Sequence, residues 1–212
     1  MLNTKKVTIM TSNMITPRPY LSFSQMTLFE MSPEKYIQKY IYEEKERISR
    51  NIALGKQLAD GLENGELSGD PLLDLVMAKI PKFELMDKPF ETELKNGKEV
   101  IKILAKPDTM KPDMTAFKEY KTSTRAWTQK MADESGQITF YTTAIWLKTG
   151  RIPSDIELVC ATTEYDENGA LRPTGTIIRL RTIRHMSDII KMTLRMRKAW
   201  EGIKKLCEKE LL

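Results

Sequence analysis

The chain has 212 residues, of which 41% are hydrophobic and 30% charged, a composition that suits a globular protein with a sizeable core. It lacks a run of about 18 apolar residues that could cross a membrane, and its first ten residues carry no apolar signal core. A net charge of +5 permits a polyanionic partner without requiring one. Two cysteines and one histidine exclude a disulfide framework, a four-cysteine cluster and a multi-histidine zinc site.

Residues 1–19 read as a tail or an edge strand, with Val7, Thr8, Ile9 and Met10 as the strand-like part. Ser22 and Gln25 stand at the spacing of a helix capping box. Ser32 followed by Pro33 offers a second helix start, after which Tyr36, Ile37, Tyr40 and Ile41 recur at helical spacing. Ile48, Ile52, Gly55, Leu58, Ala59 and Leu62 continue an apolar stripe on another helix. Asp70-Pro71 opens a short helix that Pro81 closes, so residues 20–80 form an N-terminal helical part.

From Phe90 the period changes to alternation, and Asn96-Gly97 signals a hairpin turn between two strands. Lys111-Pro112-Asp113 is a second turn, and residues 116–121 a third strand. One helix is expected over residues 128–149. Two strands follow, at 157–161 and 176–183, joined by the Asp166-Glu167-Asn168-Gly169 turn. A basic amphipathic helix over 187–209 ends the chain. The fold class is therefore α/β, a central mixed β-sheet flanked by helices. The expected layout is a tail over 1–19 and a single domain over 20–212, its strand-rich core at 88–183. Basic residues gather at Lys5 and Lys6, at 179–184 and at 191–209; solvated faces and phosphate tracking are equally open readings of them. Cys160 and Cys207 read as buried thiols, Trp146 and Trp200 as core, and His185 as a residue without catalytic duty. Trp127 could stack on a base, but packing is the plainer account.

Chemistry concentrates at Asp108, Glu119 and Lys121. Glu119 and Lys121 are two apart on a strand and so share a face. Two carboxylates and an ammonium at one point suit a divalent cation and a phosphate. Carboxylates supply hard oxygen ligands, with the Tyr120 backbone carbonyl between them as a further one, and lysine can orient water or offset phosphate charge. Asp113 competes with Asp108, but it lies in a turn beside Pro112, which favours Asp108. Taken alone, Glu-x-Lys is equally an ordinary surface ion pair.

The order of these pieces resembles the PD-(D/E)xK nuclease superfamily, and within it the RecB-like exonuclease branch. Leu21-Ser22-Phe23-Ser24-Gln25 through Met31-Ser32-Pro33-Glu34-Lys35-Tyr36 looks like that branch's opening segment, with Met31 where a cysteine often stands. The stretch from Leu54-Gly55 to Ala59 looks like its GxxxH helix. Lys106-Pro107-Asp108 and Glu119-Tyr120-Lys121-Thr122-Ser123 match the PD…ExK core, and Gln137 with Tyr141 matches the QxxxY motif. The resemblance covers roughly residues 20 to 165. It implies a restriction-endonuclease-like core and a metal-dependent deoxyribonuclease, an exonuclease of DNA recombination, repair or phage DNA processing. Asp108, Glu119 and the Tyr120 carbonyl would hold Mg²⁺ or Mn²⁺, Lys121 would activate water, and Gln137, Tyr141 and Ser123 would position DNA. The implied partners are DNA and a recombinase, single-strand-binding protein or helicase. The implied location is the cytoplasm, that of the host if the chain is phage-encoded.

Two positions depart from the pattern. Ala59 stands where the branch has a metal-contacting histidine, so Glu91 or Glu93 would have to assist, or activity would be weakened; Asp60 should point elsewhere. Met31 and the count of two cysteines imply no iron–sulfur cluster. The missing histidine also supports a second reading, a non-catalytic nucleic-acid-binding module on a degenerate nuclease fold. A third is a chance match in an unrelated scaffold. Convergence of Asp108, Glu119 and Lys121 in space discriminates among them.

Overall fold

In a computed structural model the chain is described over residues 16–44 and 50–211, side chains 50–52 and 211 excepted. The strand expected at 7–10 and Ile48 lie outside the described residues. Among the described residues no helix is long and apolar enough to cross a membrane.

The N-terminal part begins with β1 (Leu21–Ser22), which hands directly into α1 (Phe23–Met31). Ser22 caps α1 by accepting the Gln25 N–H at 3.4 Å. The Gln25 side chain completes only part of the expected capping box, because its amide donates to the Tyr20 carbonyl at 3.1 Å and accepts the Tyr36 hydroxyl at 3.3 Å. Ser32 ends α1 and caps α2 (Pro33–Tyr36), with Pro33 in the first turn. The helical spacing seen from Tyr36 onward widens into a π-helical turn, Ile37–Ile41. Helices α3 (Arg50–Asn64) and α4 (Pro71–Lys79) follow. The Asp70 carboxylate caps α4 at Leu72 N and Leu73 N.

The strands divide into two mixed sheets, where the sequence suggested one. After β2 (Leu85–Met86) come β3 (Phe90–Asn96) and β4 (Glu99–Ala105), which with β1 make a three-stranded sheet in the order β1-β4-β3. Phe90, Thr92 and Leu94 are buried and Glu91, Glu93 and Lys95 exposed, so a one-residue slip would expose the whole apolar face. Asn96 pairs with Glu99, which places the hairpin loop at Gly97-Lys98, one residue beyond the expected position; Gly97 takes the positive φ of 63° that the turn demands.

At Lys106-Pro107-Asp108 the chain leaves this sheet and enters the second as β5 (Thr109–Met110). Proline cannot continue the ladder, and the two-residue β5 is too short to show an alternation in sequence. The second sheet runs β2-β5-β6-β7-β8, with β6 (Ala116–Ser123), β7 (Asp155–Tyr165) and β8 (Leu171–Thr182). β6 and β7 are parallel, so a helical crossover must join them. That crossover is two helices, α5 (Gln129–Asp133) and α6 (Gly136–Thr149), where periodicity suggested one. Ser135 caps α6 at the break, and Gly150, with a φ of 72°, ends it. The last helix, α7 (Met186–Leu211), buries Ile189, Met192, Met196, Trp200, Ile203 and Cys207 along one stripe. It packs on α6 and α1, and a Cβ added at Gly202 would come within 2.5 Å of the Phe29 ring, so glycine permits that approach. A second core, built on Leu58, Leu62, Leu73, Val76 and Val159, seats α3 and α4 against the far face of the five-stranded sheet.

Candidate active site

β6 supplies the centre. Phe117, Glu119 and Lys121 alternate onto the face covered by α6, while Tyr120 turns to the second core and donates its hydroxyl to the Pro81 carbonyl at 2.8 Å. The Lys121 ammonium donates to Glu119 Oε1 at 2.6 Å and to Gln137 Oε1 at 2.7 Å. The Gln137 amide donates in turn to the Tyr141 hydroxyl at 2.9 Å. Gln137 and Tyr141 lie one turn apart on α6, so they face β6 together.

Asp108 arrives from the neighbouring segment. Thr109 pairs with Lys118, so Asp108 lies opposite Glu119, just before β5 begins. The Tyr120 N–H therefore meets no strand, and Asp108 Oδ2 accepts it at 2.5 Å. In an extended strand the N–H and C=O of one residue leave the same edge, so the Tyr120 carbonyl faces this edge too.

Burial dominates the electrostatics. Glu119, 2% exposed, is pushed up to about 8 by desolvation, helped by the Asp108 carboxylate and opposed by Lys121. Asp108 is also raised, again by burial first, while the Tyr120 N–H and Lys121 pull it down. The Tyr141 hydroxyl is pushed up by burial and by the charge on Glu119. Glu119 Oε2 is buried without a hydrogen-bond partner. A buried acceptor left so is costly, and beside a second carboxylate it is the kind of atom a cation satisfies. Among the described residues no three His, Cys, Asp or Glu side chains gather as a metal cage. Two carboxylates and a carbonyl nevertheless suit Mg²⁺, which commonly binds one or two carboxylates and completes its shell with water and phosphate oxygens.

Two clefts open on this centre. One, of about 270 Å³, lies under α3 and is lined by Gly55, Ala59, Asp108, Glu119, Lys121 and Thr122. A Cβ at Gly55 would sit 3.3 Å from Thr122 Oγ1, so glycine lets α3 come close. Ala59 thus stands over the carboxylates but offers no ligand, and Asp60 opens onto a different surface depression. The other cleft, of about 480 Å³, includes Asp108, Gln137 and Tyr141 in its wall.

Other expected positions lie apart. Glu91 and Glu93 are exposed on β3 and line neither cleft; strand alternation fixes Phe90 and Thr92 inward and these acids outward. Ser123 ends β6, its hydroxyl accepting the Arg125 N–H at 3.1 Å, and is not among the lining residues. Asp113 is held in its turn by Thr115. Sequence reasoning missed Asp87, which lines the larger cleft, bonds the Asp108 carbonyl through its N–H at 2.9 Å, and pairs with Lys106. Its only sequence signal is that of a turn residue, here with a φ of 49°. Much of the C-terminal basic charge is committed internally: Arg179 to the buried Glu157, Arg195 to Glu30, Lys204 to Glu99, and Arg197 to the Lys95 carbonyl.

No family model matches this chain, nor does any curated protein. Among solved structures it is similar to a "putative exonuclease" from Eubacterium rectale, with a TM-score of 0.58 and 14% identity over 91% of this chain and 82% of that one. At such identity the likeness is one of fold, and it agrees with a restriction-endonuclease-like arrangement of mixed sheets flanked by helices. A second structure, SSO0001, is less alike, with a TM-score of 0.42 at 14% identity over 84% of this chain and 75% of that one.

Proposed function

We propose that the chain is a metal-dependent nuclease that hydrolyses DNA phosphodiester bonds, with Asp108, Glu119 and Lys121 at its centre. The observation that carries this reading is the buried Glu119 carboxylate, one oxygen on Lys121 and the other unpartnered, set against Asp108. A site that only bound DNA would gain nothing from two carboxylates facing phosphate. The fold of the exonuclease-like neighbour is compatible with this chemistry. Asp108, Glu119 and the Tyr120 carbonyl would hold Mg²⁺ or Mn²⁺, which when bound polarises a phosphoryl oxygen and makes water more acidic.

The chain's own groups do the rest. Lys121, held by Glu119 and Gln137, presents its ammonium where an attacking water and a phosphoryl oxygen meet. The water would give up one proton to solvent as its oxygen bonds to phosphorus, the bond from phosphorus to the sugar oxygen would break, that oxygen would take up a proton from solvent, and Lys121 would offset the charge that accumulates between them. Gln137 and Tyr141 keep that lysine from swinging into solvent. Exonucleolytic action in recombination, repair or phage DNA processing is the context we favour, with a recombinase, single-strand-binding protein or helicase as its kind of partner.

The test is cleavage of end-labelled single-stranded and duplex DNA with Mg²⁺ or Mn²⁺, against EDTA and Lys121→Ala. The expected result is metal-dependent cutting that falls at least about a hundredfold in the variant. DNA binding without cutting under either metal would instead favour the non-catalytic binding module, for which the absent ligand at Ala59 already argues.

A further inference from the structure

We propose that the cleft of about 480 Å³ beside Asp108 seats one unpaired nucleotide of the bound strand, its base against Tyr20 and Tyr40 and its phosphate toward Arg18. Asp108, Gln137 and Tyr141 belong both to this cleft and to the candidate active site. A strand whose phosphate lies at the carboxylates therefore has its neighbouring nucleotide at the mouth of the cleft. That placement rests on the nuclease reading above; the chemistry of the cleft does not.

The walls are aromatic on one side and carry Asp108 and the Asp87–Lys106 pair on the other, which leaves Arg18, among the described residues, as the lining's cation without an acid beside it. Tyr40 is braced from behind by the buried Tyr36, their rings 4.8 Å apart. Phe23 is braced by Phe140, edge to face at 5.8 Å. Tyr40 reaches the cleft from the π-helical turn Ile37–Ile41, a backbone irregularity that is frequent at functional sites. Arg18 is exposed at the rim. The braced Tyr40 ring, with the Lys39 ammonium 5.8 Å from its centre, and the half-buried Tyr20 of the same lining stand with a nearby guanidinium as a stacking platform for bases whose faces are free. Cavities of roughly 300–1,000 Å³ suit small ligands, so this one takes a single nucleotide and not a base-paired stem. It follows that the preferred substrate is single-stranded, or has a frayed end at the nucleotide to be released.

The test is anisotropy of a fluorescent eight-nucleotide thymidine strand, and of a fully paired hairpin closed by a non-nucleotide linker, titrated in EDTA with wild type, Arg18→Ala, Tyr20→Ala and Tyr20→Phe. We expect the single strand to bind at least about tenfold more tightly than the hairpin. Arg18→Ala and Tyr20→Ala should each weaken it about tenfold, and Tyr20→Phe should restore it because the ring remains. Arg18 is exposed, so that variant stays informative even if Tyr20→Ala folds poorly. No binding of the strand by wild type, equal binding of the hairpin, or indifference to both alanine variants would overturn the proposal. Because the titration needs neither metal nor turnover, loss of the nuclease reading in the cleavage assay leaves this result standing, and the converse holds.

Discussion

Glu119 holds its proton in the folded chain to about pH 8, against an ordinary value of 4.5. Below the lower value both folded and unfolded chains are protonated, and stability is at its fullest. Through the interval the unfolded chain releases the proton while the folded chain keeps it, so rising pH favours unfolding until the folded group also ionises. Asp108, raised in the same direction by burial, adds to the trend. Metal-free protein should therefore melt lower by on the order of 5 °C as pH rises from about 5 to about 8. Glu119→Gln should remove most of that slope. Added Mg²⁺ should flatten it as well, since a cation competes with the protons for the same oxygens. Thermal melts across that range in EDTA check the point; a slope unchanged in Glu119→Gln would mean that Glu119 is ionised in the fold.

Positioning Gln137 falls to the break between α5 and α6. Arg184 is 5% exposed and sends one amino group to the Ala132 and Ser135 carbonyls, at 3.0 and 3.2 Å, and its Nε to the Thr139 hydroxyl at 2.7 Å. These atoms bracket Gln137 on both sides. Lysine offers a point charge in place of a fork, so Arg184→Lys should lose most of the bonds to Thr139, Thr182 and the Ala132 and Ser135 carbonyls and cost about 1–3 kcal/mol in urea unfolding. It should also lower kcat more than KM, because the contact it loosens sets Lys121 through Gln137; a stability loss with unchanged kcat would confine Arg184 to a structural role. Nothing in the sequence around 179–184 distinguishes this arginine from Arg179 and Arg181, since the carbonyls and hydroxyl by which it holds the helix break lie some fifty residues away in the chain. The strands were readable where one face is wet, as in Phe90 to Lys95, and the Asp108, Glu119, Lys121, Gln137 and Tyr141 set was readable from motif order. The helix break, the π-helical turn and the two-residue β5 were not, because each is too short to carry a period. Asp87 and the aromatic cleft escaped for another reason: only the division into two sheets brings residues near 20, 40 and 87 beside Asp108.

Across the whole molecule, the net charge of +5 overstates what is available to a nucleic acid. The buried Glu157 carboxylate is shared by Lys118 at 2.6 Å and Arg179 at 2.7 Å, Arg184 is enclosed, and Arg195 and Lys204 are paired with Glu30 and Glu99. Groups so engaged are already partly neutralised and release fewer counterions when DNA binds. Among the described residues the bases beside the two clefts are Arg18, Lys106 and Lys121, of which Lys106 and Lys121 already face acids; a strand held at the clefts alone meets a small electrostatic footprint. Each neutralised phosphate contributes about −0.7 to the slope of log K against log salt for a single strand, so about three contacts predict a slope near −2. Titrations of the eight-nucleotide strand from about 50 to about 200 mM salt measure it directly. A slope steeper than about −5 would require a long basic track, and would return the exposed lysines of α7 to the role that sequence composition left open.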